Sequence, residues 1–197
     1  MKTSWQVATA GEAFAAAQFA RCGWDVSIQY GANQPEYDLV AVDGDRMLKV
    51  SVKGSKDGQW GLTQSHLTKG TADYQAAIDR WLARHTRLTI FCLVQFKGVP
   101  VTDLPRMYIA TPTEIGAQLR ATAKGRGDTI LYERKAWTHK ALAAGTVDAI
   151  PESWRFTQDR LNQMAALLSQ SGKDILTEVF GAVRSREATG ADIQGRN

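Results

Sequence analysis

A carboxylate and a lysine at strand-like positions hold the chemistry latent in this chain. Asp38 sits in the apolar segment 37–42, and Lys53 closes the alternating segment 47–53. On neighbouring strands the two would meet. Cleaving a phosphodiester needs a cation on the scissile phosphate, an activated water and stabilisation of the leaving oxygen. Carboxylates bind magnesium, which keeps several waters and bridges to phosphate. A nearby lysine stabilises developing charge or orients the water. Ser51 occupies the place where a second acidic ligand would complete such a site. A serine hydroxyl is a poor neutral ligand for a hard dication, so it can act only through a bound water or its backbone carbonyl.

The elements around these residues follow from pattern. Residues 8–22 read as an alanine-rich helix, with Thr9 and Glu12 at capping-box spacing and Gly23 as its stop. Residues 24–30, 37–42 and 47–53 alternate as strands. Asp43-Gly44 is a hairpin signal between the last two. With these as the central turn residues, Asp38 lies opposite Lys49, Glu36 opposite Ser51 and Gln34 opposite Lys53. All six side chains then share one face. Residues 71–84 form a helix, 88–96 a central strand buried on both sides, and 107–110 a further strand. Thr111 caps a helix over 112–121, and 129–133 is a late strand. Helices follow over 157–169 and 173–186, then a polar tail. The order predicts a mixed α/β sheet between helices, with a domain over 1–150 and a helical extension over 151–197.

Each candidate has a plainer reading. Glu12 could complete a capping box with Thr9. Asp38, costly inside an apolar strand unless paired, could pair with Lys49 across the hairpin. Glu36 could supply the carboxylate missing at Ser51, but a loop-end acid after Pro35 is the preferred reading. His85 completes an apolar helical stripe and reads as a buried, hydrogen-bonded core residue. His66 is a lone loop histidine that could act as a base.

On these residues the chain resembles the PD-(D/E)XK nuclease superfamily, with its restriction-endonuclease-like fold, across roughly its N-terminal half. Gly11-Glu12 is similar to the helix glutamate of resolvase-like members. Glu36-Tyr37-Asp38-Leu39-Val40 resembles the segment with the metal-binding aspartate, and Val50-Ser51-Val52-Lys53 the (D/E)-x-K strand. Helix, three strands, helix, strand is the family's αβββαβ core. The resemblance implies a metal-dependent DNA endonuclease using Mg2+ or Mn2+. Asp38, Lys53, Glu12 and Ser51 would be its catalytic positions, and Asp38, Glu12 and Glu36 its metal-binding ones. It also implies DNA as partner, and a homodimer, because two strands need two sites. The alternative on the same fold is an inactive module that binds DNA or a protein.

Composition sets the remaining bounds. The 197 residues are 44% hydrophobic and 22% charged, with net charge +4, ordinary for a globular chain and permissive of a polyanion. Cys22 and Cys92 lack paired spacing and read as small buried side chains in a reducing compartment. No segment has a signal peptide's apolar core or a membrane span's length, so a cytoplasmic protein is expected. Lys56, Trp60, Gln64, Lys69 and Arg126 are the candidate DNA contacts. A second basic group, Lys124, Arg126, Arg134, Lys135 and Lys140, surrounds Trp137.

Overall fold

The computed structural model describes residues 3–29, 36–86, 88–139, 141 and 143–168. The expected helix over 173–186, the polar tail, Gln34 and Lys140 lie outside the described residues. A five-stranded mixed sheet is the centre. Its order is β1 (Asp25–Ile28), β2 (Leu39–Asp43), β3 (Arg46–Ser55), β5 (Thr89–Gln95), β6 (Arg106–Ala110). β1, β2 and β3 form an antiparallel meander; β5 joins β3 in parallel, and β6 joins β5 antiparallel. Parallel pairing requires a crossover, and α2 (Tyr74–Leu82) makes it.

Four helices occur among the described residues: α1 (Ser4–Arg21), α2, α3 (Pro112–Ala121) and residues 158–168, labelled α4. Val7, Gly11, Ala15 and Phe19 recur every fourth residue and form the buried stripe of α1. That stripe packs on the sheet with α4. The shared core holds Phe19, Leu39, Leu48, Val50, Val52, Ile90, Cys92, Leu161 and Met164. The opposite face carries α2 and α3, with Trp60, Ile78, Trp81, Phe91, Leu93, Ile115 and Leu119. Alternation divides β5 between them, Ile90, Cys92 and Val94 to one side and Phe91 and Leu93 to the other. Every residue of β5 is buried, as a strand covered on both faces requires.

Residues 151–168 pack into both cores. Trp154 joins the α2–α3 side, and Phe156 and Leu161 the α1 side. Arg160 of α4 bonds Glu114 of α3 at 2.6 Å. No helix among the described residues is long and apolar enough to cross a membrane.

Three expectations change. The α1 capping box is Thr3 with Gln6, upstream of Thr9 and Glu12. The alanine-rich run tolerates either start, and the earlier one extends the stripe to Val7; Glu12 therefore lies in mid-helix. The hairpin turn centres on Gly44 and Asp45, because Asp43 pairs with Arg46. Gly44 supplies the positive φ (58°) that a primed turn can place at its first central position. The loop after β3 also forms an unexpected strand, β4 (Gln59–Gly61), which pairs with β7 (Ile130–Tyr132). A small ribbon of β8 (Arg134–Ala136) and β9 (Val147–Ala149) follows. The helix over 112–121 and its Thr111 cap form as expected, with Glu114 completing the capping box.

Candidate active site

β2 and β3 part where the site lies. Their pairing ends at Leu39 opposite Val50, while β3 continues alongside β5 to Ser55. Ser51, Val52 and Lys53 thus lie on the free edge beyond the fork. Asp38, just before β2, bridges it. Its N–H donates to the Val50 carbonyl at 2.8 Å, and its Oδ2 accepts the Val52 N–H at 2.6 Å. A charged acceptor makes this a strong bond, so the carboxylate is held in one orientation.

The observed turn moves the β2–β3 register by two residues from the expected one, so Val40 and not Asp38 faces Lys49. An even offset preserves sidedness, and Asp38 still shares its face with Ser51 and Lys53. The Asp38–Lys49 pair is overturned. The Lys49 ammonium instead lies over the Tyr37 ring, 5.3 Å from its centroid. Asp38 pairs with Lys53, with Nζ 3.9 Å from Oδ2. The Lys53 side chain is 42% exposed, so its ammonium is screened by water and open to a ligand.

Glu12 reaches the same place from α1. Gly11 and Gly54 let the helix and β3 touch: a Cβ on Gly11 would lie 3.2 Å from the Gly54 Cα, and one on Gly54 2.5 Å from the Val7 carbonyl oxygen. This contact sets Glu12 beside the fork, where it lines a cleft of about 340 Å³ with Asp38, Lys53 and Gln59. Burial, then the facing Asp38, pushes the Glu12 carboxyl above its ordinary range, and Lys53 opposes the shift. A second cleft of about 230 Å³ opens on the α2 side, lined by Asp38, Ser51, Lys53, Glu36, Arg84 and His85 among others. The two clefts share Asp38, Lys53 and Gly61, which form the wall between them.

Ser51 is 3% exposed and lies beside Phe91 of β5. Glu36 lines the second cleft, but its Oε1 accepts from Arg84 Nε at 3.0 Å, and its Oε2 lies 3.4 Å from His85 Nδ1 without a hydrogen bond. His85 is half-buried, with its side chain 9% exposed and its ring edge-on to Trp81 and Phe91. The expected hydrogen bonding is not found: neither ring nitrogen has a hydrogen-bond partner among the described residues. Burial lowers its pKa, against an opposing pull from Glu36. Arg84 is a lining residue that sequence reasoning missed; its partner Glu36 is 48 positions away.

The other candidates scatter. Trp60 is 2% exposed, and its indole N–H donates to the Lys53 carbonyl at 2.8 Å. It anchors the strand end from beneath and offers no face for a base. Gln64 lies over Gly61 beside the clefts, and His66 lines the second cleft. Lys56 is exposed but borders a separate hollow with Phe14 and Phe96. Lys69 is exposed in the turn before α2. Arg126 stands over the Tyr74 and Trp137 rings, 3.8 Å from Asp128.

Among the described residues no three His, Cys, Asp or Glu side chains converge as a metal cage. Glu12 and Asp38 remain as a facing pair of carboxylates. That pair fits magnesium, which needs only one or two protein carboxylates beside waters and substrate phosphate. The Asp38 charge adds to the cost of ionising Glu12, a cost that a bound cation relieves. Comparison of the chain with protein-family models, curated proteins and solved structures finds no match.

Proposed function

We propose that the fork between β2 and β3 is a metal-dependent DNA endonuclease site of the PD-(D/E)XK type, on a restriction-endonuclease-like core. The observation that carries this reading is the Asp38–Lys53 pair at 3.9 Å on an open strand edge, with Glu12 facing it from α1. The order helix, three-strand meander, crossover helix, parallel strand also supports it. Asp38 and Glu12 are the groups that would hold Mg2+ or Mn2+. When bound, such a cation supplies an electrophile on the phosphate and acidifies a water. Asp38 is fixed by the Val52 N–H, so one oxygen keeps a set direction while the other stays available. Lys53 offers an ammonium to the charge that develops on the phosphate oxygens. Trp60 holds the Lys53 backbone in place.

The second reading is an inactive module of the same fold that binds DNA or a protein. Ser51 favours it, since a buried hydroxyl replaces a carboxylate and Glu36 is committed to Arg84. Nicking of supercoiled plasmid and cleavage of branched DNA with Mg2+ or Mn2+ decide between them. Metal-dependent cleavage lost in both Asp38→Ala and Lys53→Ala supports hydrolysis. Cleavage that survives both substitutions points to a contaminant and removes the assignment. DNA binding without cleavage favours the inactive module. In that case Ser51→Glu tests the site itself, by conferring stabilisation on added Mn2+.

A further inference from the structure

The two-stranded ribbon of β4 and β7 joins the cleft to a second cationic surface. Gln59 lines the cleft with Glu12, Asp38 and Lys53, and its strand partner is Tyr132. Trp60 and Leu131 of the same ribbon turn inward and are buried, so alternation turns Gln59 and Tyr132 outward. Tyr132 meets Trp137 edge-on, with centroids 6.0 Å apart. The Lys135 ammonium stands over both rings, 5.0 Å from Tyr132 and 5.5 Å from Trp137. Arg126 stands over the Trp137 ring at 5.8 Å and the Tyr74 ring at 5.3 Å.

Aromatic rings hold a cation in position without cancelling its charge. Lys135 makes no ion pair among the described residues. Asp148, opposite Lys135 in the β8–β9 pair, accepts from the Ala123 N–H and the Trp137 indole. Asp128 accepts the N–H groups that open β7 on Oδ1, while its Oδ2 accepts from the Tyr132 hydroxyl and lies 3.8 Å from Arg126. Lys135 is thus fixed in direction without an ion pair, and Arg126, its side chain 38% exposed, shares its charge with Asp128 at 3.8 Å; both keep a side open to phosphate oxygens. The distance also suits a strand of nucleic acid. Crossing the ribbon takes about 5 Å and the three residues from Tyr132 to Lys135 span at most about 10 Å. At about 3.4 Å per phosphate along one strand, that is a reach of roughly four nucleotides from the cleft wall.

We infer that Lys135 and Arg126 grip the phosphate backbone of a nucleic-acid strand that runs from the fork across the β4–β7 ribbon. The inference rests on the reading of the fork as a DNA site and adds where the flanking strand lies. The rings serve as clamps for the cations and not as stacking platforms for bases.

The test is binding of labelled DNA to the whole protein in EDTA, so that no cleavage intervenes. Fluorescence anisotropy is followed with a duplex of about 20 base pairs as salt rises from about 50 to 200 mM. Lys135→Gln and Arg126→Gln should each weaken binding and lower the slope of log affinity against log salt by about 1, equally on unrelated sequences. Lys135→Arg should keep the wild-type slope. Wild-type slopes in both glutamine variants would overturn the inference, as would an effect confined to one sequence. Loss of wild-type binding to a competing acidic peptide, with DNA slopes unchanged, would also overturn it in favour of a protein partner. Plasmid cleavage is scored separately. Absent cleavage with altered slopes removes the hydrolytic reading alone; normal cleavage with unchanged slopes removes this inference alone.

Discussion

One added methyl group at Gly54 would push α1 off β3. A Cβ at that position falls 2.5 Å from the Val7 carbonyl oxygen and 3.1 Å from its carbon. Both are helix backbone atoms, so no side chain can swing aside. Ordinary carbon–oxygen contacts lie near 3.3–3.6 Å, so the helix must retreat by about 1 Å. Overpacking of this kind costs about 1–3 kcal/mol, against a gain of about 0.5–1 kcal/mol from replacing a strand glycine. The net loss for Gly54→Ala is then about 1–2 kcal/mol. With a urea dependence of about 2 kcal/mol/M, the unfolding midpoint falls by roughly 0.5–1 M. Gly11→Ala is the matched control. Its Cβ meets the Gly54 Cα at 3.2 Å, a milder squeeze. Alanine's advantage of about 1 kcal/mol in a helix interior offsets that squeeze, so this midpoint stays close to wild type. Urea unfolding followed by tryptophan fluorescence reads both variants. The retreat also carries Glu12 away from Asp38, so Gly54→Ala should lose stabilisation by added Mn2+ beyond its loss of basal stability. A Gly54→Ala midpoint equal to wild type, or Gly11→Ala faring worse than Gly54→Ala, would refute the seating of α1 on β3.

Trp60→Phe removes the indole donor to the Lys53 carbonyl and leaves a void. It should cost about 1–3 kcal/mol by urea unfolding. A stable variant with weakened DNA binding would instead mark Trp60 as a stacking residue. Glu12 is raised in the folded protein, first by burial and then by Asp38. The fold therefore binds its proton more tightly than the unfolded chain does, and stability falls as pH rises through the folded value. Glu12→Gln should raise the unfolding midpoint at pH 7 and leave it unchanged below about pH 4; an equal gain at both would contradict this. His85 is lowered by burial, so the fold resists its protonation. Stability should then be lost as pH drops below about 6.5, and His85→Phe should flatten that arm; an unchanged slope between about pH 7 and 5 would show that His85 does not cause it.

Much of the candidate site's arrangement was legible because strand chemistry is local. Alternation along β3 alone places Lys49, Ser51 and Lys53 opposite Leu48, Val50 and Val52. The hairpin signal brings Asp38 to the same face whether the turn centres on Asp43-Gly44 or on Gly44-Asp45, since the two registers differ by two residues. The turn position decides the partner, however, and there the sequence was ambiguous by one residue in a stretch of Asp, Gly and Asp. That ambiguity separated an Asp38–Lys49 pair from the Asp38–Lys53 pair. Trp60 was misread for a different reason. Its short segment has no periodicity of its own, and it becomes a strand only by pairing with β7, about seventy residues later.

The sequence by itself determined the elements and their faces, because capping, alternation and turn chemistry act over a few residues. Thr111 with Pro112, the apolar run of β5 and the period of β3 needed nothing further. Tertiary structure alone decided which distant groups meet. Glu12 joins Asp38 only because Gly11 and Gly54 allow two backbones to touch, and Glu36 is engaged by Arg84 only once α2 crosses over the sheet. Such meetings depend on how whole faces pack, and close packing of the two cores leaves each element little freedom in how it sits on the sheet.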